Sequence, residues 1–175
     1  MNRFRLGATV VSTVVGLDQF TKSIVLRTID ADDRVRLFGS LALVRRFNKG
    51  GAFSIGDNRG IFPWIVLVLV AGLTSWYFVR GIRASTSAAL VAALGCMVGG
   101  ALGNQLDRLF RGSGWNRGAV VDFVATGFWP VFNVADIALT CGAIAVGLLS
   151  FRETPKSNNT KSNNTVSVGE DPSDC

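Results

Sequence analysis

Two long stretches of this chain carry no charge at all, residues 60–79 and 84–106, and they limit what the rest can become. About 20 consecutive apolar residues cross the hydrocarbon of a bilayer as a helix, because in lipid every backbone N–H and C=O must find its partner within the segment. Arg59 and Arg80 bracket the first stretch, and Trp64 and Trp76-Tyr77 sit near its ends, where aromatic side chains favour the membrane interface. Two further segments complete the pattern. Residues 6–26 follow Arg3 and Arg5, and residues 134–151 precede Arg152. The expected fold class is an α-helical integral membrane protein with four transmembrane helices, occupying residues 1–153. Its composition agrees: 49% hydrophobic residues against 17% charged is too apolar for an ordinary soluble domain.

The first span competes with a cleaved signal peptide, since residues 6–17 resemble an apolar core of that kind. No small-residue cleavage site follows, and the apolar pattern continues through Asp18-Gln19-Phe20-Thr21-Lys22 into Ile24-Val25-Leu26, so a retained helix is expected. Asp18 and Lys22 lie four apart, acid first, and share a helix face. Residues 27–59 are too polar to span; 35–47 read as a small hairpin turning at Gly39-Ser40. Residues 48–54 then form a loop or short interfacial helix. Gly95, Gly99 and Gly103 repeat at spacing four in the third span, a pattern that lets helices pack closely. Residues 109–130 are expected to be a second polar loop. Residues 154–175, with Lys-Ser-Asn-Asn-Thr at 156–160 and again at 161–165, have too little apolar content to pack and read as a disordered tail.

The chain has no histidine, which removes the Ser-His-Asp triad, the Cys-His pair and every His-containing zinc motif. Cys96, Cys141 and Cys175 have no metal-site spacing, and the first two look like small core residues. Neither a metal nor another cofactor is expected. The net charge of +6 comes from basic residues flanking apolar runs, which points to phospholipid headgroups rather than nucleic acid. The short turn with Arg80 and Arg83, together with Arg3 and Arg5, favours cytoplasmic termini.

Span alternation then collects the polar residues at one membrane face: Asp18, Lys22, Asn48, Asn104, Asp107, Arg108, Asp122, Asn133 and Asp136. An acid at the edge of a hydrocarbon-spanning helix is costly to keep and reads as functional. Asp122 and Asp136, if close enough to share a proton, make a general acid/base pair of the aspartyl type. The ordinary alternative makes Asp136 a helix cap, given the Asn133-x-x-Asp136 spacing, and Asp122 a solvated loop acid. Asp107-Arg108 and Asp18-Lys22 can equally be structural ion pairs. Two rival functions are a Ser-Lys peptidase using Lys22 with Ser23 or Ser54, and a small transporter using intramembrane acids.

Five motifs together resemble the bacterial lipoprotein signal peptidases (signal peptidase II). They are Asp18-Gln19-x-Thr21-Lys22, Asn48-x-Gly50-Gly51-Ala52-Phe53-Ser54, Gly99-Gly100-Ala101-x-Gly103-Asn104-x-x-Asp107-Arg108, Val120-Val121-Asp122-Phe123 and Phe132-Asn133-x-Ala135-Asp136. Each is short, but all five stand in the family's order across residues 6–151. Gly51 departs from the family, which usually has alanine there. The resemblance implies an aspartic endopeptidase of the bacterial inner membrane that cuts prolipoproteins before a diacylglyceryl-modified cysteine. It implies Asp122 and Asp136 as the catalytic dyad. Asn48, Asn104, Arg108 and Asn133 would shape the substrate pocket, and Asp18, Lys22 and Asp107 would support the structure. It further implies an extracytoplasmic β-cradle and interfacial helix within 27–59, cytoplasmic termini and a site at the outer leaflet. The enzyme would act as a monomer among membrane phospholipids.

Overall fold

The computed structural model describes residues 2–48, 68, 69, 72, 87–111 and 118–152. Apart from Val68, Leu69 and Gly72, the expected second span lies outside them, as do residues 49–54, the Arg80/Arg83 turn and the tail. Helix α1 (Arg3–Thr28) is followed by strands β1 (Arg34–Phe38) and β2 (Leu41–Asn48). Then come helix α2 (Ala88–Phe110), strand β3 (Val120–Ala125) and helix α3 (Val134–Arg152). Asn2 caps α1 by accepting from Phe4 N–H, and Ser87 caps α2 by accepting from Leu90 N–H.

Among the described residues, one helix, α2, is both long and apolar enough to cross a membrane; Val134–Ser150 is a shorter apolar helix. Helix α1 has the length, about 39 Å at 1.5 Å per residue, but buries Asp18 and Lys22 along the way. The outward faces are apolar: Leu17, Phe20 and Ile24 on α1, Leu102 on α2, and Ile137, Ile144 and Leu148 on α3 are all exposed. Such faces would be unfavourable in water and are natural against lipid tails. Cys141 lies on this exposed side of α3, not in a core, while Cys96 is half-buried.

Glycines set the spacing of the three helices. A Cβ on Gly95 would stand 3.0 Å from Val10, one on Gly99 2.7 Å from Val14, and one on Gly103 2.7 Å from Asp18 Oδ2. The i, i+4 row of α1 therefore lies directly on the expected glycine row of α2. Gly100 and Gly142 perform the same service between α2 and α3, against Ala135 and Leu139 and against Ala93 and Met97.

The three strands form an antiparallel sheet in the order β1-β2-β3. β1 and β2 join through Gly39 and Ser40, with Gly39 at φ 55°, a left-handed conformation that glycine adopts without steric cost. Strand β3 and the end of α2 both fall in 109–130, where only a polar loop was expected. The run Val120-Val121-Asp122-Phe123 is buried at every position, so it lacks the alternation that marks a half-exposed strand. A bulge separates the two halves of the β2–β3 ladder: Leu43 pairs with Val124 and Arg46 with Asp122, leaving Val44 and Arg45 opposite Phe123. Val25, Ile29 and Phe123 form a small core at the junction of sheet and helices, with Leu43, Val124 and Val134 packed against it.

The close approach at Gly99 gives a direct test. Gly99→Ala should cost about 1–3 kcal/mol, because branched Val14 and the Val11 carbonyl leave no room for a methyl group. Gly16→Ala, which meets nothing within 4 Å, should be neutral or stabilising by up to about 1 kcal/mol. Melting curves of the two purified variants check this; equal Tm values would refute the packing.

Candidate active site

Each carboxylate of interest is delivered by a different device. Asp122 sits in the middle of β3 and is 4% exposed. After β3 the chain turns through Gly127, at φ 88°, and comes back so that Phe132 pairs with Val124. Phe132 O accepts from Val124 N–H at 2.8 Å, and Phe132 N–H donates to Val124 O at 3.1 Å. This return places Asn133, and with it the first turn of α3, beside Asp122.

Asn133 and Asp136 form a reciprocal capping box at the start of α3. Asp136 N–H donates to Asn133 Oδ1 at 3.0 Å, and Asn133 N–H donates to Asp136 Oδ2 at 3.2 Å. The capping reading of Asp136 is therefore correct as far as it goes. Its other oxygen is also engaged, because Asp136 Oδ1 accepts from Asn104 Nδ2 at 2.7 Å.

One buried amide ties the two acids together. Asn133 is fully buried, and its Nδ2 donates to Asp122 Oδ1 at 2.7 Å and to Asn104 Oδ1 at 3.0 Å. Asp122 Oδ2 accepts from Asn48 Nδ2 at 3.0 Å, across the β2–β3 ladder. Asp122 is thus a buried acid with two amide donors, not a solvated loop residue. Burial pushes its pKa up, and the neighbouring Asp136 charge raises it further, while the Asn48 and Asn133 hydrogen bonds pull it down; the result is about 6. A carboxyl group of this kind can hold a proton close to neutrality.

Below the pair lies an ionic cluster. Lys22 and Asp18 are fully buried 2.8 Å apart, and Asp107 Oδ2 lies 2.8 Å from the same Nζ. Asp18 Oδ1 accepts from Ala135 N–H at 3.0 Å, and Asp107 Oδ2 accepts from Val121 N–H at 3.1 Å. Those two bonds anchor α3 and β3 to the helix pair. Arg111 pairs with Asp107. Gln19, quoted in a motif but given no role from sequence, donates to Asp18 Oδ2, Asp107 Oδ1 and the Gly103 carbonyl. The Asp18–Lys22 pair follows from its spacing; Asp107, expected from sequence beside Arg108, is also the third member of this cluster. Arg108 Nη1 lies 3.4 Å from the Asn104 carbonyl oxygen.

This arrangement does not suit a Ser-Lys pair. Ser23 Oγ donates back along the helix to the Gln19 carbonyl at 2.7 Å, and Lys22 is held between two carboxylates. Ser54 lies outside the described residues. No group of His, Cys, Asp and Glu able to hold a metal ion occurs among the described residues.

Apolar-faced helices that close around two bridged carboxylates at one end define an integral membrane protein with an acid-pair site. The chain belongs to the signal peptidase II family, whose model, Signal peptidase (SPase) II, matches residues 10–152. It is similar to the lipoprotein signal peptidase of Mycobacterium avium (strain 104), 38% identical over 151 residues, covering 85% of this chain and 80% of that one. It is also similar to that of Rhodococcus jostii (strain RHA1), 40% identical over 144 residues, covering 81% and 70%. Two solved bacterial membrane enzyme structures, obtained by the in meso method, share the fold. One, at 1.9 Å resolution, has a TM-score of 0.68 and 27% identity over 85% of this chain and 94% of its own. The other, at 2.3 Å, has a TM-score of 0.71 and 28% identity over 89% and 94%.

The raised pKa of Asp122 has a consequence for stability. The folded protein binds this proton more tightly than the unfolded chain, whose carboxyl titrates near 3.8. The contribution of Asp122 to stability therefore falls as pH rises from about 4 through about 6, by on the order of 2–3 kcal/mol. Asp122→Asn lacks this loss, although one of the two amide donors then faces an NH2 group. The Tm of Asp122→Asn relative to the parent should rise between about pH 4 and pH 7. A Tm difference independent of pH would contradict the buried, perturbed acid.

Proposed function

We propose that this chain is an aspartic endopeptidase in which Asp122 and Asp136 are the catalytic dyad. As a member of the signal peptidase II family it removes signal peptides from prolipoproteins, cutting before the lipid-modified cysteine. The observation that carries the mechanism is the Asn133 bridge. One fully buried side chain and its own backbone N–H reach both acids, which holds them as a unit at the end of the bundle.

In the proposed reaction Asp122 starts protonated and Asp136 ionised. Asp136 takes a proton from a water molecule as its oxygen adds to the scissile carbonyl carbon. Asp122 gives its proton to the carbonyl oxygen, and a tetrahedral diol forms. Collapse of the diol breaks the C–N bond, the leaving nitrogen takes the proton carried by Asp136, and a diol hydroxyl returns one to Asp122. Asn48, Asn133 and Asn104 orient the two carboxylates, and Arg108 lines the approach to them.

The same reading assigns four spans, with 60–79 as the second, cytoplasmic termini and the acid pair at the outer leaflet. The sheet β1-β2-β3 would then be an extracytoplasmic cradle beside residues 49–59. A site at that depth suits a substrate whose lipid stays in the bilayer while its scissile amide must meet water. Attachment to the membrane also turns a bulk encounter into a positioned one.

The test is cleavage of a diacylglyceryl-modified prolipoprotein by purified Asp122→Asn and Asp136→Asn. Asparagine caps a helix about as well as aspartate but cannot cycle a proton. Each variant should lose roughly a hundred- to ten-thousand-fold in kcat, with the double variant hardly worse than either single. Substantial activity in either single variant would exclude the aspartyl mechanism.

A further inference from the structure

Lys22 has three N–H bonds, and each has a partner. Two reach Asp18 Oδ2 and Asp107 Oδ2, both at 2.8 Å, and the third reaches Asn104 Oδ1 at 2.9 Å. Burial explains the first two, since an ammonium out of water must be neutralised. The third contributes nothing to charge balance, yet it decides which way the Asn104 amide lies.

An ammonium cannot accept a hydrogen bond, so the end of the amide that faces Lys22 must be the oxygen. Asn133 Nδ2 donates to that same oxygen at 3.0 Å. The Asn104 nitrogen is thereby directed to Asp136 Oδ1 at 2.7 Å. Asn133 is oriented in the same way: its oxygen accepts from Asp136 N–H, and its nitrogen spans Asn104 Oδ1 and Asp122 Oδ1. The donor-to-acceptor direction thus runs from Lys22 through Asn104 to Asp136, while Asn133 donates both to Asn104 and to Asp122. A reversed Asn104 would set its carbonyl oxygen against the Asp136 carboxylate and its NH2 against an ammonium and a second NH2.

We propose that Lys22 is a positioning residue for the acid pair as well as an ion-pair partner. By fixing the Asn104 amide, it makes Asp136 Oδ1 accept from a buried amide and turns an acceptor toward Asn133 Nδ2, the group that also holds Asp122 Oδ1. The working proton is then confined to the lone pairs that Asn104 and Asn133 do not occupy. This inference rests on the aspartyl reading above and adds a residue that never touches the reacting atoms.

The experiment compares two variants that disturb the same buried cluster. Asp18→Asn/Lys22→Met removes one charge of each sign and leaves an asparagine oxygen for Ala135 N–H, but the third Lys22 bond is gone. Gln19→Met removes bonds to Asp18, Asp107 and Gly103 O while leaving Lys22 on Asn104. Steady-state cleavage of a diacylglyceryl-modified prolipoprotein is measured for each beside a melting curve. The double variant should lose between about tenfold and a hundredfold in kcat with KM unchanged. Gln19→Met should lose Tm without a matching loss of kcat. An unchanged kcat in the double variant overturns the proposal, as does a kcat that tracks Tm alike in both.

If the double variant does not fold, the parent protein labelled with 15N-asparagine gives a second reading. The Asn104 and Asn133 side-chain amides should shift together as Asp122 titrates; an Asn104 amide that ignores that titration overturns the proposal. Cleavage retained by Asp122→Asn or Asp136→Asn would instead defeat the aspartyl mechanism itself. Inactive single variants beside a fully active double variant defeat only the role of Lys22.

Discussion

A lysine ammonium with no exposure to solvent, held between helices that face lipid, is the constraint on which the structure depends. Removing such a charge from water costs several kcal/mol, and only close opposite charges with good geometry offset it. Asp18 from the same helix and Asp107 from α2 supply them. Each acid then uses a remaining lone pair on a backbone N–H, Ala135 at the start of α3 and Val121 at the start of β3. The ionic cluster is therefore the joint at which two helices, a strand and a third helix meet. The helices can close over it because Gly103 presents no side chain to Asp18.

The same economy recurs at the acid pair. Asp136 caps its own helix with one oxygen and takes the Asn104 amide with the other. Asn133 caps that helix with its oxygen and bridges two elements with its nitrogen. Within this network one residue, Asn133, binds Asp122 through its amide nitrogen and Asp136 through its backbone N–H, so a shift of either acid is felt by the residue that holds the other. That is the physical content of calling them a pair.

How much of this was legible depends on sequence distance. The bounds of α3 follow from an apolar run between Asn133 and Arg152, and the capping box is written in four consecutive residues. The glycine row of α2 announced a close contact, and the i, i+4 spacing of Asp18 and Lys22 announced a pair. Strand β3 was hidden because both its faces are buried, so its pattern has no period of two. Asp122 consequently read as a loop acid, and its burial came only with the fold. Asn104 and Asn133 could be assigned to a pocket by motif, but nothing local reveals that their amides join each other. That contact spans 29 positions and exists only because the chain doubles back at Gly127.

The extra residue in β2 has a consequence of its own. Leu43 and Arg46 pair with Val124 and Asp122, two residues apart on β3, so β2 counts three steps where an uninterrupted strand would count two. Everything in β2 after the bulge, Asn48 included, is therefore shifted in parity against what precedes it. A strand of this kind has an arithmetic of odd and even: losing the one extra residue near 44–45 would restore an uninterrupted ladder and keep Asn48 on the face of Asp122, whereas losing a residue pair would carry Asn48 to the opposite face. Length changes in β2 are thus filtered by parity before they are filtered by chemistry, and a single-codon deletion there is a different event from a two-codon one.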